Sequence, residues 1–166
     1  DAIDPNRVRK APPVDVRARL GLPATARIVL AVGALVGHKG QRHLVAAIPS
    51  IVAAHADARV VIAGEGKLRD DLTAQATALG VASRLSLPGY VDDVAGWFAA
   101  ADVFVMPSVE EGLGSSVLDA MAAGVPIVGT TAGGIPEAVR DGTDGILVPP
   151  GDSPALATAI NTLLSD

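Results

Sequence analysis

Two short segments hold most of the residue types that could act on an anionic ligand. The first reads Gly33-Ala34-Leu35-Val36-Gly37-His38-Lys39-Gly40, with three glycines and one of the chain's three lysines. It follows an apolar run and opens a helical stretch. Glycines let backbone N–H groups approach a phosphate, and a helix start favours negative charge. Lys39 would add a full positive charge. The plainer reading leaves Lys39 solvated, although a cation at a helix start is slightly unfavourable. The second segment reads Pro107-Ser108-Val109-Glu110-Glu111-Gly112-Leu113-Gly114-Ser115-Ser116 and holds two of the chain's four glutamates. Gly112 and Gly114 bracket Leu113 just before a helix, where amides are free to meet an anion. A carboxylate beside them suits hydroxyl donors, as on a sugar. A ligand with phosphate at one end and hydroxyls at the other, such as a sugar nucleotide, would use both. Glu110 also reads as an exposed loop charge. Asp119 either faces the ligand or closes a capping box running from Ser116 to Asp119.

These segments need a scaffold, and the rest of the chain supplies one. Its 166 residues fit a single domain. Hydrophobic residues make up 49% and aromatic ones 2%, so the core must be built from Ala, Val, Leu and Ile. Apolar β-branched runs at Ile28–Val32, Val60–Ala63, Arg84–Leu87, Val103–Met106, Ile127–Gly129 and Gly145–Val148 predict strands covered on both faces. Between them, helices are expected at Gln41–His55, Leu68–Leu79, Asp93–Ala101, Ser116–Ala123, Ile135–Arg140 and Ser153–Leu164. Six βα units in series predict an α/β fold: a doubly wound, mostly parallel, six-stranded Rossmann-like sheet with helices on both faces. Residues 1–26 read as an irregular lead-in broken by Pro5, Pro12, Pro13 and Pro23, with one helical turn at Arg17–Leu20; residues 27–166 form the domain. With strand order 3-2-1-4-5-6, ligands belong at the carboxyl ends of the first and fourth strands. The two unusual segments follow those strands.

Composition also excludes partners. Thirteen Lys plus Arg against eighteen Asp plus Glu give a net charge of −5, the wrong balance for a nucleic-acid backbone. The absence of cysteine removes disulfides and thiolate chemistry and is compatible with a cytoplasmic home. No apolar run is long enough for a transmembrane segment. No Asp or His cluster has metal-ligand spacing, so no metal and no cofactor are expected. Asp70-Asp71 and Asp92-Asp93 sit at predicted helix starts, where acids complement the dipole. His38, His43 and His55 read as surface residues, His38 having some claim on phosphate, and Trp97 with Phe98 reads as core.

From Asp1 to about Asp152 the chain resembles the C-terminal domain of retaining GT-B glycosyltransferases of family 4, the group 1 glycosyl transferases. The resemblance rests on eight segments in order: Ala2-Ile3-Asp4-Pro5, Gly33 to Gly40, Gly64-Glu65-Gly66, Leu87 to Val91, Ala101 to Ser108, Glu111 to Met121, Gly133 to Glu137 and Gly145 to Asp152. It implies a nucleotide-diphosphate sugar (UDP-, GDP- or ADP-linked) as donor substrate, and sugar transfer with retention. It also implies an amino-terminal GT-B domain, absent from this chain, as the partner that completes the cleft and carries any contact with the inner face of a membrane. By motif, Lys39 would contact the diphosphate and Glu111 the donor-sugar hydroxyls, the two catalytic candidates. Asp119 would hold the ribose, and amides near Gly114, Ser115 and Ser116 would face the distal phosphate, with Gly112 and Leu113 also bordering the donor. Gly33, Ala34 and Gly64 would line the donor, with the backbone of Tyr90 and Val91 along the base. Two departures stand out. Ala34 occupies a position where many members have arginine, and Asp119 one where glutamate is usual. They leave Lys39 as the main cation, with Arg42 one turn on as a weaker substitute. A non-catalytic sugar-nucleotide-binding module, or a related GT-B epimerase or phosphorylase, would share much of this pattern.

Overall fold

The structure, a computed structural model, describes Asn6, Pro12 and residues 14–166. The segment Ala2-Ile3-Asp4-Pro5 lies outside the described residues. A single sheet of six strands forms the centre: β1 (Arg27–Val32), β2 (Ala58–Ala63), β3 (Leu85–Gly89), β4 (Val103–Met106), β5 (Ile127–Thr130) and β6 (Gly145–Val148). Their order is β3-β2-β1-β4-β5-β6, and every pairing is parallel. The helices are α1 (Val16–Arg19), α2 (Gln41–Ala54), α3 (Arg69–Ala78), α4 (Val94–Ala100), α5 (Ser115–Ala122), α6 (Ile135–Ala138) and α7 (Ser153–Leu164).

Alternation along the strands divides the core in two. Val29, Ala31, Val60, Ile62, Val103, Val105 and Val128 face α2, α3 and α7, meeting Leu44, Ile48, Leu72, Leu156 and Ile160. Ile28, Leu30, Val61, Phe104, Met106 and Ile127 face the other way, onto Val16, Trp97, Phe98, Val117 and Ile135. Strands buried on both sides are why the apolar runs show no polar alternation. Phe98 and Phe104 pack with ring centroids 5.2 Å apart and Trp97 is buried beside them, so three of the four aromatics are core residues while Tyr90 is exposed. The turn expected at Arg17–Leu20 is α1. Asp15 caps it by accepting from the Ala18 amide at 3.0 Å. Arg17 and the Ile28 amide both donate to Asp102, at 3.2 and 2.7 Å, which ties the lead-in to the ends of β1 and β4.

Most element boundaries differ from expectation by one or two residues, and three of the differences have a visible cause. Residues 82–84 form a 3-10 turn, so β3 starts at Leu85 and runs on to Gly89. α6 stops at Ala138 because Val139 takes extended angles. α5 begins at Ser115 and not Ser116, since Gly114 enters the helix in a left-handed conformation (φ 64°) with no side-chain cap. Ser116, the first residue of the capping box expected from Ser116 to Asp119, therefore lies inside the helix and is not its N-cap. Asp119 lies past the first turn.

Candidate functional site

The loops after β1 and β4 meet at the carboxyl edge of the sheet, where strand order reverses. Three features hold them together. The His38 carbonyl accepts from the amides of Val109 and Glu110, at 2.9 and 3.2 Å. Gly40, left-handed at φ 69°, lies so close to Pro107 that a Cβ there would overlap the Pro107 carbonyl. Lys39 Nζ donates to both carboxylate oxygens of Glu111, at 2.8 and 3.1 Å. Residues 72 positions apart thus form one ion pair. The Lys39 side chain is 27% exposed and that of Glu111 is 10% exposed.

Glu111 is fixed from several sides. Ser108 Oγ donates to its Oε2 at 2.9 Å, and the Gly112 amide donates to its Oε1 at 3.1 Å. Burial pushes this carboxyl up. The hydrogen bonds from Lys39 and Ser108, the Lys39 charge and the Gly112 amide outweigh burial and hold it below the usual glutamate range. The backbone of Glu111 is clasped from the β5 side. Gly133, left-handed at φ 49°, presses against it, and a Cβ there would overlap the Glu111 carbonyl. The Gly134 amide donates to the Gly112 carbonyl at 2.8 Å.

The two loops differ in what they leave open. In the first, the amides of Gly33, Leu35, Val36, Lys39 and Gly40 already donate to the carbonyls of Ala63, Glu65, Ala34, Val36 and Gly37. The expectation that this glycine-rich loop offers its amides to phosphate is thereby narrowed: five of its eight amides are committed, and the Lys39 ammonium is its side-chain cation facing the crevice. In the second, Val117 is the first amide of α5 to find a helical acceptor, the Gly114 carbonyl at 2.9 Å. The preceding first-turn amides of Ser115 and Ser116 point out of the helix end, as helix geometry requires, beside exposed Leu113.

On the β2 side of the same edge lies a pocket of about 330 Å³, lined by Val32, Gly33, Ala34, Gly64, Tyr90 and Val91 among others. Gly33, Ala34, Gly64, Tyr90 and Val91 are thus gathered in one pocket, while Gly112 to Ser116 stand at the α5 end with Lys39 and Glu111 between. Asp119 lies half-buried further along α5. Arg42 lines a separate hollow of about 780 Å³ between α2 and α3. Another, of about 490 Å³, opens beside Met121 and Gly145, at the amino ends of β5 and β6, the wrong edge for a ligand in such a sheet. Among the described residues no group of three or more His, Cys, Asp or Glu could hold a metal, and no helix is long and apolar enough to cross a membrane.

Sequence reasoning passed over Ser108, Thr130 and Gln41, which are all buried. Gln41 Nε2 donates to the Ala34 carbonyl at 2.9 Å and so holds the first loop. Polar residues at the ends of wholly apolar strands, as at Ser108 and Thr130, were the available signal.

This geometry has counterparts. The chain is 37% identical over 150 residues to the lipopolysaccharide core biosynthesis glycosyltransferase LpsE of Rhizobium meliloti, covering 90% of this chain and 43% of that protein. It is 36% identical to a GDP-mannose-dependent alpha-(1-6)-phosphatidylinositol monomannoside mannosyltransferase of Mycolicibacterium smegmatis, covering 95% of this chain and 44% of that protein. The crystal structure of Anabaena HepE in complex with UDP superposes with a TM-score of 0.89 at 30% identity, over 99% of this chain and 46% of that one. The chain thus spans less than half the length of these relatives. Residues 26–166 match the model of the glycosyl transferases group 1 family. A Rossmann-like half of a GT-B fold, with its two signature loops joined at the switch point and a family match over most of its length, places this chain in the glycosyl transferases group 1 family.

Proposed function

We propose that this chain is the donor-binding half of a glycosyltransferase that moves a sugar from a nucleotide diphosphate to an acceptor, with retention at the anomeric carbon. The observation that carries the reading is the meeting of Lys39 and Glu111 at 2.8 Å beside the open end of α5. One cation, one acid and a set of helix-end amides are what a diphosphate joined to a hydroxyl-bearing ring requires.

In this reading the pocket at Gly33, Gly64, Tyr90 and Val91 takes the base, and Asp119 takes the ribose. The α5 amides and Lys39 take the diphosphate. Glu111, released from Lys39, accepts from hydroxyls of the donor sugar. Breaking the sugar–phosphate bond leaves negative charge growing on the diphosphate. Fixed amides and an ammonium favour that charge more in the transition state than before it, which is how such a site accelerates the step. Acceptor contacts and the remaining wall of the cleft belong to an amino-terminal GT-B domain.

Titration calorimetry of this chain with UDP, GDP and ADP tests the reading. At least one nucleotide should bind, and Lys39→Ala should weaken it. Indifference to all three nucleotides would remove the donor role. Binding with no sugar transfer in the full-length protein would make the domain a non-catalytic sugar-nucleotide module.

A further inference from the structure

Behind Glu111 lies a polar chain that the donor site as described does not use. Ser108 is 1% exposed and Thr130, the last residue of β5, is 2% exposed. Thr130 Oγ1 donates to the Ser108 carbonyl at 2.7 Å and accepts from the Ala132 amide at 3.3 Å. Ser108 Oγ donates to Glu111 Oε2 at 2.9 Å. Burying two hydroxyls costs free energy unless each is hydrogen-bonded, and alanine or valine would fill the same space without that demand. Here both hydroxyls are satisfied, and the chain they form ends on the carboxylate.

Its use follows from what ligand entry does to Glu111. Four contacts hold that carboxylate, and two of them come from Lys39. A diphosphate would compete for the same ammonium. What then remains is the Ser108 hydroxyl and the Gly112 amide. We propose that Ser108 is a positioning residue that keeps Glu111 ionised and aimed once Lys39 turns to the donor, with Thr130 as the anchor that fixes Ser108. The donor-dependent part of this rests on the function proposed above; the Ser108-to-Glu111 coupling does not.

Among the described residues Lys39, from the loop after β1, is the charged group whose field acts on Glu111. Glu110 adjoins it in the chain. Gly133, which packs against its backbone from the β5 side, and its neighbours Thr131, Ala132 and Gly134 have no ionisable side chain.

The chain has four glutamates, so a carbon-13 NMR titration of side-chain carboxyls can follow each one. In Ser108→Ala the Glu111 midpoint should rise, since a donor to the ionised form is lost. Thr130→Val should raise it less, and Thr130→Ser, which keeps the hydroxyl, should leave it in place. With saturating UDP the rise in Ser108→Ala should grow, because Lys39 is then engaged elsewhere. A Glu111 midpoint that stays put in both Ser108→Ala and Thr130→Val overturns the proposal. If Ser108→Ala fails to fold, an unmoved midpoint in Thr130→Val overturns it alone. Failure of UDP to bind would count against the donor reading and leave the ligand-free titration to decide the coupling.

Discussion

The loop after β1 and the loop after β4 look alike as sequences, each glycine-rich and each leading into a helix, yet they do different work. The first is largely committed: five of its eight amides donate within the domain, and Gln41 holds the Ala34 carbonyl. It forms a braced arm that holds the Lys39 ammonium against Glu111. The second is open: left-handed Gly114 starts α5 without a side-chain cap, leaving first-turn amides for a ligand. Glycine therefore serves two purposes. At Gly40 it permits close backbone contact that fixes a side chain, and at Gly114 it turns the chain so that backbone donors face outward. A glycine-rich loop need not be a phosphate cradle, and which kind it is depends on where its N–H groups already point.

The comparison breaks most severely where a backbone contact is removed. Gly133→Ala would drive a Cβ into the Glu111 carbonyl at a left-handed position. The loop must shift, and we expect a stability loss of about 3 kcal/mol or more, read as a lower urea midpoint. Gly142→Ala is the control: it is also left-handed (φ 80°) but has open space around it, so only the backbone strain should appear, about 1 kcal/mol. Equal losses at both sites would show that the clasp on Glu111 is not specific.

The next largest effect concerns the arm's cargo. Lys39→Ala should weaken binding of the preferred nucleotide diphosphate, and in the full-length enzyme cut turnover, by about tenfold or more. It should also cost about 1–3 kcal/mol of stability near neutral pH, because Glu111 loses a partly buried partner. The sign with pH is fixed. Glu111 has a depressed folded pKa, so its contribution is present above the ordinary carboxylate range and is lost as pH falls through the depressed value. The stability gap between Lys39→Ala and the wild type should therefore be widest near neutrality and shrink in acid. A gap that stays constant, in denaturation series from pH 7 downward, would mean that the pair does not act through charge.

Much of this was legible beforehand, for physical reasons. Strands buried on both faces must be wholly apolar, so Ile28 to Val32 and Val103 to Met106 marked the sheet centre, and the topological rule then put residues 39 and 111 at one crevice. What could not be read was the state of individual donors. Whether the Leu35 amide is free depends on the Glu65 carbonyl in another βα unit. Whether Ser116 or Gly114 caps α5 depends on packing of Met106 and Ile135 around residue 114, at 3.3 and 3.4 Å from a hypothetical Cβ. The local S-x-x-D pattern pointed two residues too late because those contacts are tertiary. Ser108 and Thr130 read as ordinary loop and strand-end residues, since burial is not a local property.

The smallest expected effect sharpens the comparison in the constructive direction. If the first loop contributes charge and not amides, a second cation on it should help where a rearranged backbone would not. Ala34 is exposed and lines the pocket on the β2 side of the site. Ala34→Arg should tighten binding of UDP or GDP, whichever the chain prefers, by up to about fivefold, the upper end of the range for a solvent-accessible charge pair. The gain should decline as salt is raised, since exposed charges are screened. Calorimetry at two ionic strengths reads both. A gain that survives high salt would mean that the arginine reorganises the loop and frees its amides, which would make the two loops more alike than their hydrogen bonds indicate.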